Sequence, residues 1–265
     1  GVTVRCVTDY QTIAFERSGA IARITLNRPD AANGMNAVMT RELADVAAHC
    51  DDPTIKVVVI TGAGRFFCAG GDLKDFASAP QRGRHLKGVA DDLHRAISTF
   101  ARMDAVVITA VNGTAAGAGF SLAVTGDLIL AAESASFTMA YTRVGLSPDG
   151  SSTYFLPRLI GMARTKELML TNRTLSSREA LDWGLVTEVL PDGDVASRAD
   201  ELAAAMSTTS GGSNGGVKAL LLASFANGLE EQMELEGRLI ARRAETADGR
   251  EGVDAFLAKR KPEFS

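Results

Sequence analysis

The sequence predicts an α/β protein, with strand–turn–helix units over residues 1–195 and a helical region over 196–265. Three observations carry this reading. Val57-Val58-Val59-Ile60 and Ala105-Val106-Val107-Ile108-Thr109-Ala110-Val111 are unbroken apolar runs, the pattern of strands buried on both faces. Each run leads into a glycine-rich turn, at 61–72 after the first and at 112–119 after the second. Beyond Pro191 every periodic segment has the helical repeat. At 265 residues, 46% of them hydrophobic, the chain can bury one large core and carry a helical appendage.

In chain order, Thr12-Ile13-Ala14-Phe15-Glu16 and Ile21-Ala22-Arg23-Ile24-Thr25-Leu26 flank a Ser18-Gly19 turn and read as a β-hairpin. Asn27-Arg28-Pro29-Asp30 breaks the pattern. Asn36 is placed to cap a helix whose apolar residues are Val38, Met39, Leu43, Val46 and Ala47. Asp52-Pro53 separates that helix from the strand at 57–60. Residues 77–88 are polar and lack a period, which predicts a mobile surface loop shaping any ligand pocket. Val89, Leu93, Ile97 and Phe100 then mark one face of a helix leading to the strand at 105–111. A helix is expected to begin near Gly119. Leu128-Ile129-Leu130-Ala131 and Ala135-Ser136-Phe137 read as short strands, Pro148-Asp149-Gly150-Ser151-Ser152 as a turn, and 153–159 as a helix. Ser176-Ser177-Arg178-Glu179 is a capping box for a helix through Trp183 that Gly184 ends. A strand at 185–190 follows. Helices are expected at about 193–207, 216–226, 228–243 and 249–258, with 207–216 a Ser/Gly-rich connection.

The formal net charge of −4 and pI of about 5.5 argue against binding to nucleic acid or an anionic membrane. Cys6, Cys50 and Cys68 have neither disulfide-like nor metal-like spacing, which suits a reducing compartment and offers no metal site. No apolar run approaches the roughly 20 residues that span a bilayer, and the first residues lack a signal-peptide core. The expectation is a cytoplasmic, soluble protein.

Glycines permit close backbone approach, and a helix start after such a turn presents unpaired N–H groups. That combination suits a phosphate or an oxyanion formed during a reaction. No Gly-Lys-Ser/Thr follows either turn, and Gly113, Gly117 and Gly119 lack dinucleotide-fingerprint spacing. One such turn alone reads as a tight connection. Two, each after a buried strand, point to two amides converging on one oxygen.

Several motifs resemble the enoyl-CoA hydratase/isomerase, or crotonase, superfamily. They are Leu26-Asn27-Arg28-Pro29 with Asn33 and Asn36, Phe67-Cys68-Ala69-Gly70-Gly71-Asp72-Leu73, Ala110-Val111-Asn112-Gly113 with Gly117-Ala118-Gly119, and Gly126-Asp127-Leu128. Pro157-Arg158-Leu159-Ile160-Gly161, Ala180-Leu181-Asp182-Trp183-Gly184-Leu185-Val186 and Phe256-Leu257-Ala258-Lys259-Arg260 follow in the family's order. The resemblance runs from about residue 11 to the end. It implies a crotonase-like spiral of β-β-α units with a C-terminal helical trimerisation region, assembled as a homotrimer or a hexamer made of two trimers. It also implies an acyl-CoA thioester substrate, no cofactor beyond its coenzyme A, and a carbonyl oxygen held by the N–H groups of Gly71 and Ala118. Alanine stands at 118 where many members have glycine. The coenzyme is expected along Asp30, Ala31 and Ala32 at the adenine and Ala69, Gly70, Asp72 and Leu73 at the pantetheine. Phe256 and Lys259 of a neighbouring subunit are expected to complete the nucleotide site; a solvated basic tail is the plain alternative for Lys259.

Family hydratases use two glutamates; Ser121 and Tyr141 occupy the matching positions here. Neither replaces a carboxylate base, so hydration of the ordinary kind is not expected. Asp149 remains. In isolation it would be a helix cap or turn residue. The resemblance implies a working carboxylate, as in isomerases and 4-chlorobenzoyl-CoA dehalogenases of the family. As a base, Asp149 would move a proton between carbons of a 3-enoyl-CoA. As a nucleophile, it would attack an aromatic ring, with His94 and Tyr141 matching a dehalogenase's hydrolytic histidine and tryptophan. A lone helix histidine is more commonly structural, and His49 and His85 read as surface residues. Isomerisation stands first, dehalogenase-like hydrolysis second, and an atypical hydratase or a non-catalytic acyl-CoA-binding member after them.

Overall fold

A computed structural model describes residues 9–265, so Cys6 and the first residues considered for a signal peptide lie outside the described residues. β1 (Ile13–Ser18) and β2 (Ile21–Leu26) form the expected antiparallel hairpin, with Ile13 opposite Leu26. α1 (Ala37–Cys50) begins at Asn36, whose side chain accepts a 2.9 Å hydrogen bond from Met39 N. It buries Met39, Leu43, Val46 and Ala47. β3 (Val57–Gly62) and β4 (Phe66–Cys68) precede α2 (Leu73–Ser78) and α3 (Arg82–Arg102). β5 (Val106–Val111) and β6 (Thr114–Ala116) precede α4 (Ala118–Ala123). β7 (Leu128–Ala132) and β8 (Ser136–Thr138) precede α5 (Ser152–Ile160) and α6 (Met162–Thr171).

One sheet has the order β1-β2-β3-β5-β7 and ends on β10 (Glu188–Leu190); from β2 onward its pairs are parallel. The other has the order β4-β6-β8 and ends on β9 (Leu175–Ser176), which is antiparallel to β8. Each successive pair, β3/β4, β5/β6 and β7/β8, gives one strand to each sheet before a helix follows. The chain therefore winds as the expected spiral of β-β-α units. β5, buried along its whole length, lies inside the larger sheet, consistent with its lack of apolar alternation. Burying a Val, Leu or Ile side chain there contributes up to about 1.5–3 kcal/mol. α7 (Ser177–Asp182) starts from the expected capping box, with Glu179 N donating to Ser176 Oγ at 3.2 Å and Ser176 N to Glu179 Oε2 at 3.0 Å.

The remaining helices are α8 (Val195–Met206), α9 (Gly211–Ser224), α10 (Leu229–Ala244) and α11 (Ala247–Leu257). α8 crosses β3, β5 and β7 and buries Val195, Ala199 and Ala203, so the first helix of the 196–265 region forms part of the core covering. Lys218 ties α9 to the body. Its buried Nζ donates to Phe100 O at 2.9 Å and Ala105 O at 2.8 Å and pairs with Asp127 Oδ2 at 2.9 Å.

Five points of the sequence reading are corrected. Residues 77–88 are not a loop: Asp72 caps α2, and α3 already begins at Arg82. Most of that stretch faces solvent, which erased the periodicity, while His85 Nε2 reaches Asp75 Oδ2 at 2.7 Å and holds the two helices together. His85 is accordingly half-buried rather than a free surface residue. Residues 211–216 are the first turns of α9 rather than a connection; Gly215 packs on Asp104, a close approach that a larger residue would prevent. α6 was absent from the sequence reading because its buried residues, Thr165 and Leu168, leave no broad apolar stripe. The expected strand at 185–190 is reduced to β10, since the N–H groups of Leu185 and Val186 close the end of α7 onto Ala180 O.

Candidate active site

The two glycine-rich turns meet. Gly70, at φ +99°, packs on the 116–117 backbone, where an added Cβ would stand 2.9 Å from Ala116 O. Between these turns and the α2–α3 pair lies a cavity of about 370 Å³. Leu73, Phe76, Leu86, Val89 and Leu93 form much of its apolar wall, and Gly71, Ala118, Tyr141 and Asp149 border it. Leu86 lines it from the very stretch whose sequence shows no period, and Val89 from the helix expected after it.

Met35 makes an isolated parallel bridge with Gly71: Met35 N donates to Gly70 O and Asp72 N to Met35 O, each at 2.8 Å. In an extended segment this turns Gly71 N–H away from Met35. Ala118 is the first residue of α4, where an N–H has no partner within the helix. Among the described residues neither N–H meets an acceptor. Ala118 is outside the positive-φ set, so alanine fits here without strain. Phe120, two residues on, is fully buried against Phe137 with ring centroids 5.2 Å apart, which anchors α4.

Asp149 does not cap α5 with its carboxylate. Its backbone carbonyl accepts from Ser152 N at 3.2 Å, Ser152 Oγ at 2.9 Å and Ser121 Oγ at 3.0 Å. The carboxylate instead accepts a 2.7 Å hydrogen bond from Tyr141 Oη at Oδ1, and its Oδ2 lies 3.4 Å from His94 Nε2. Ser121 Oγ is 3.1 Å from Tyr141 Oη. Burial, with the Asp149 carboxylate beside it, pushes the Tyr141 hydroxyl well above the ordinary phenol range. Tyr141 is thus a hydrogen-bond donor that does not ionise. Gly150 N donates to His94 Nε2 at 3.0 Å, which leaves that nitrogen unprotonated and the ring neutral. The contact of His94 with Asp149 is therefore not an ion pair in this arrangement. Gly150, at φ +61°, packs closely on Ser121: an added Cβ would stand 2.6 Å from Ser121 Cβ.

Most of the other expected residues lie along the same edge. Ala69, Gly70 and Leu73 border the cavity. Asp30 and Ala31 lie in a 3-10 turn, Pro29–Ala31, and Ala32 follows at φ +50° with its carbonyl accepting from Ala69 N at 3.0 Å. Asp72 borders this edge as a structural group, capping α2 and pairing with Arg28 Nη2 at 3.0 Å. Phe256 and Lys259 do not border the cavity of their own chain; Phe256 is 83% exposed at the end of α11. Sequence reasoning missed Arg28, whose guanidinium joins Gly34 O to Asp72 and ties the 28–34 loop to the turn carrying Gly71. Its position before Pro29 was the available signal.

The spiral and its cavity place the chain among enzymes that transform acyl-CoA thioesters. It belongs to the enoyl-CoA hydratase/isomerase family, whose family model matches residues 16–265. A probable enoyl-CoA hydratase of Rhodobacter capsulatus is 39% identical over 257 residues, covering 97% of this chain and 98% of its own. The 1,2-epoxyphenylacetyl-CoA isomerase of Escherichia coli is 39% identical over 254 residues, covering 92% of this chain and 95% of its own. Among solved structures, an enoyl-CoA hydratase from Polaromonas sp. JS666 superposes with a TM-score of 0.89 at 33% identity, covering 96% of this chain and 99% of that one.

Proposed function

We propose that this enzyme shifts an enoyl-CoA double bond from Δ3 to Δ2, with Asp149 carrying the proton. The observation that carries this reading is the lone carboxylate: Asp149 borders an apolar cavity together with the unpaired N–H groups of Gly71 and Ala118, and the family resemblance implies that Ser121 and Tyr141 replace the glutamates of its hydratases. One carboxylate suffices to take a proton from one carbon and return it two carbons away. The negative charge developing on the thioester oxygen falls to Gly71 and Ala118, whose N–H groups need no reorganisation to receive it. A relative named as a 1,2-epoxyphenylacetyl-CoA isomerase supports isomerase-type action on a CoA thioester. Coenzyme A enters as part of the substrate, along Asp30, Ala31, Ala32 and the 69–73 edge. The apolar residues exposed on α9 and α11, Val217, Leu221, Phe225, Val253, Phe256 and Leu257, favour a trimer or hexamer in which Phe256 and Lys259 complete a neighbour's nucleotide site.

A second reading follows from the 3.4 Å separation of His94 Nε2 and Asp149 Oδ2. In it Asp149 attacks the ring of 4-chlorobenzoyl-CoA and His94 activates water. The Gly150 N–H bond to that same nitrogen sets this reading second. Assaying 3-enoyl-CoA, 2-enoyl-CoA and 4-chlorobenzoyl-CoA side by side separates the two. Isomerisation is expected, and it falls about 10²–10⁴-fold in Asp149→Asn, the usual range for a general acid–base group. Chloride release would replace the first reading with the second; full activity of Asp149→Asn would remove both.

A further inference from the structure

Asp149 borders the substrate cavity, and its neighbour His94 borders another. Behind the substrate cavity a second one, of about 350 Å³, is lined by residues of α3, α5 and α9, among them His94, Ser98, Arg102, Phe155 and Leu222, and by Ser151. The His94 ring borders this second cavity and not the first, and its side chain is 46% exposed. Its Nε2 nevertheless reaches to 3.4 Å from Asp149 Oδ2. Ser151 also lines this cavity, and its Oγ is buried without a protein partner; a buried hydroxyl of this kind is ordinarily satisfied by water. Asp149 Oδ1 is already held by Tyr141, which does not release its proton. Oδ2 is therefore the oxygen through which a proton can leave.

We infer that His94 is a proton relay connecting Asp149 to water in the second cavity, so that hydrogen taken from the substrate exchanges with solvent behind the bound acyl group. The inference rests on the isomerase reading above. In the first step the substrate C–H bond breaks and the Asp149 Oδ2–H bond forms. That proton passes to the lone pair of His94 Nε2 in place of the Gly150 N–H bond, giving an imidazolium. The proton on Nδ1 then leaves to water. The reverse path returns a solvent hydrogen to Asp149 and from there to the second carbon. The front of the site offers no such route once an acyl chain lies against Leu73, Phe76, Leu86 and Leu93.

The test is isomerisation of a 3-enoyl-CoA in D₂O, with deuterium per product molecule read by mass spectrometry. The wild-type product is expected to carry solvent deuterium. His94→Gln keeps an acceptor for Gly150 N–H but removes the basic nitrogen. Ser98→Phe fills the second cavity without touching Asp149. Each is expected to lower the deuterium per product at least about threefold, as loss of a positioned proton-transfer group would. Because the reading is per product, loss of folded enzyme does not imitate it. Deuterium-free wild-type product, or equal content in all three proteins, overturns the relay and leaves the isomerase reading standing. Absence of isomerisation with every 3-enoyl-CoA removes both.

Discussion

Tyr141 Oη donates a 2.7 Å hydrogen bond to Asp149 Oδ1, and both side chains border the apolar cavity. The bond fixes the orientation of that carboxylate at the cavity wall. Removing the hydroxyl frees the carboxylate to rotate and takes away a donor from its charged form. In Tyr141→Phe, kcat is expected to fall about 10- to 100-fold, matching the 1.5–3 kcal/mol of a hydrogen bond to a charged group. A normal kcat would show that Tyr141 serves packing alone.

Gly150→Ala tests the backbone that aims Asp149. The φ of +61° and the 2.6 Å approach to Ser121 Cβ both oppose a side chain there. Stability should drop by about 1–3 kcal/mol. Activity should fall by about 10²-fold or more if Asp149 is displaced by an ångström. Urea denaturation and steady-state kinetics measured on one preparation separate the two effects.

Lys218→Ala leaves Asp127 partly buried and without its cation. The expected loss is about 3–5 kcal/mol, the range for breaking a buried pair by removing one partner. Burial pushes the Asp127 carboxyl above its ordinary value even with Lys218 present, and the variant lacks that counter-charge. A carboxyl raised in the folded state contributes stability at low pH and loses it as pH rises. The deficit of the variant, measured by denaturant titration, should therefore shrink as pH is lowered from 7 towards about 5.

Asp72 carries the opposite sign. Burial alone would raise it, but Arg28 and the N–H groups of Asp75 and Lys74 outweigh burial and hold it below the ordinary carboxylate range. Its stabilising contribution is present above the unfolded value of about 3.8 and is lost as pH falls through the lower folded value. Asp72→Asn keeps the helix cap but loses the charge. It should melt below wild type at pH 7, by about 1–2 kcal/mol of stability, and the two melting curves should converge under acid. A gap that persists at pH 2 would mean that the ion pair is not its source.

The hairpin, the Asn36 cap, the buried runs at β3 and β5 and the Ser176 capping box were legible in the sequence because each depends on residues within one turn or strand. The motifs around Gly71 and Ala118, with those at 26–36 and 157–161, also named the family from sequence alone. Two things required the tertiary structure. The stretch at 82–88 becomes helix through contacts with α2 and the cavity, and the glycine-led start of α9 through packing on Asp104, information absent from local periodicity. The joining of Ser121, Tyr141, Asp149 and His94 depends on three elements separated along the chain and meeting at Gly150. Which residues were available was written in the sequence; which oxygen of Asp149 faces Tyr141 and which faces His94 follows only from how those elements pack.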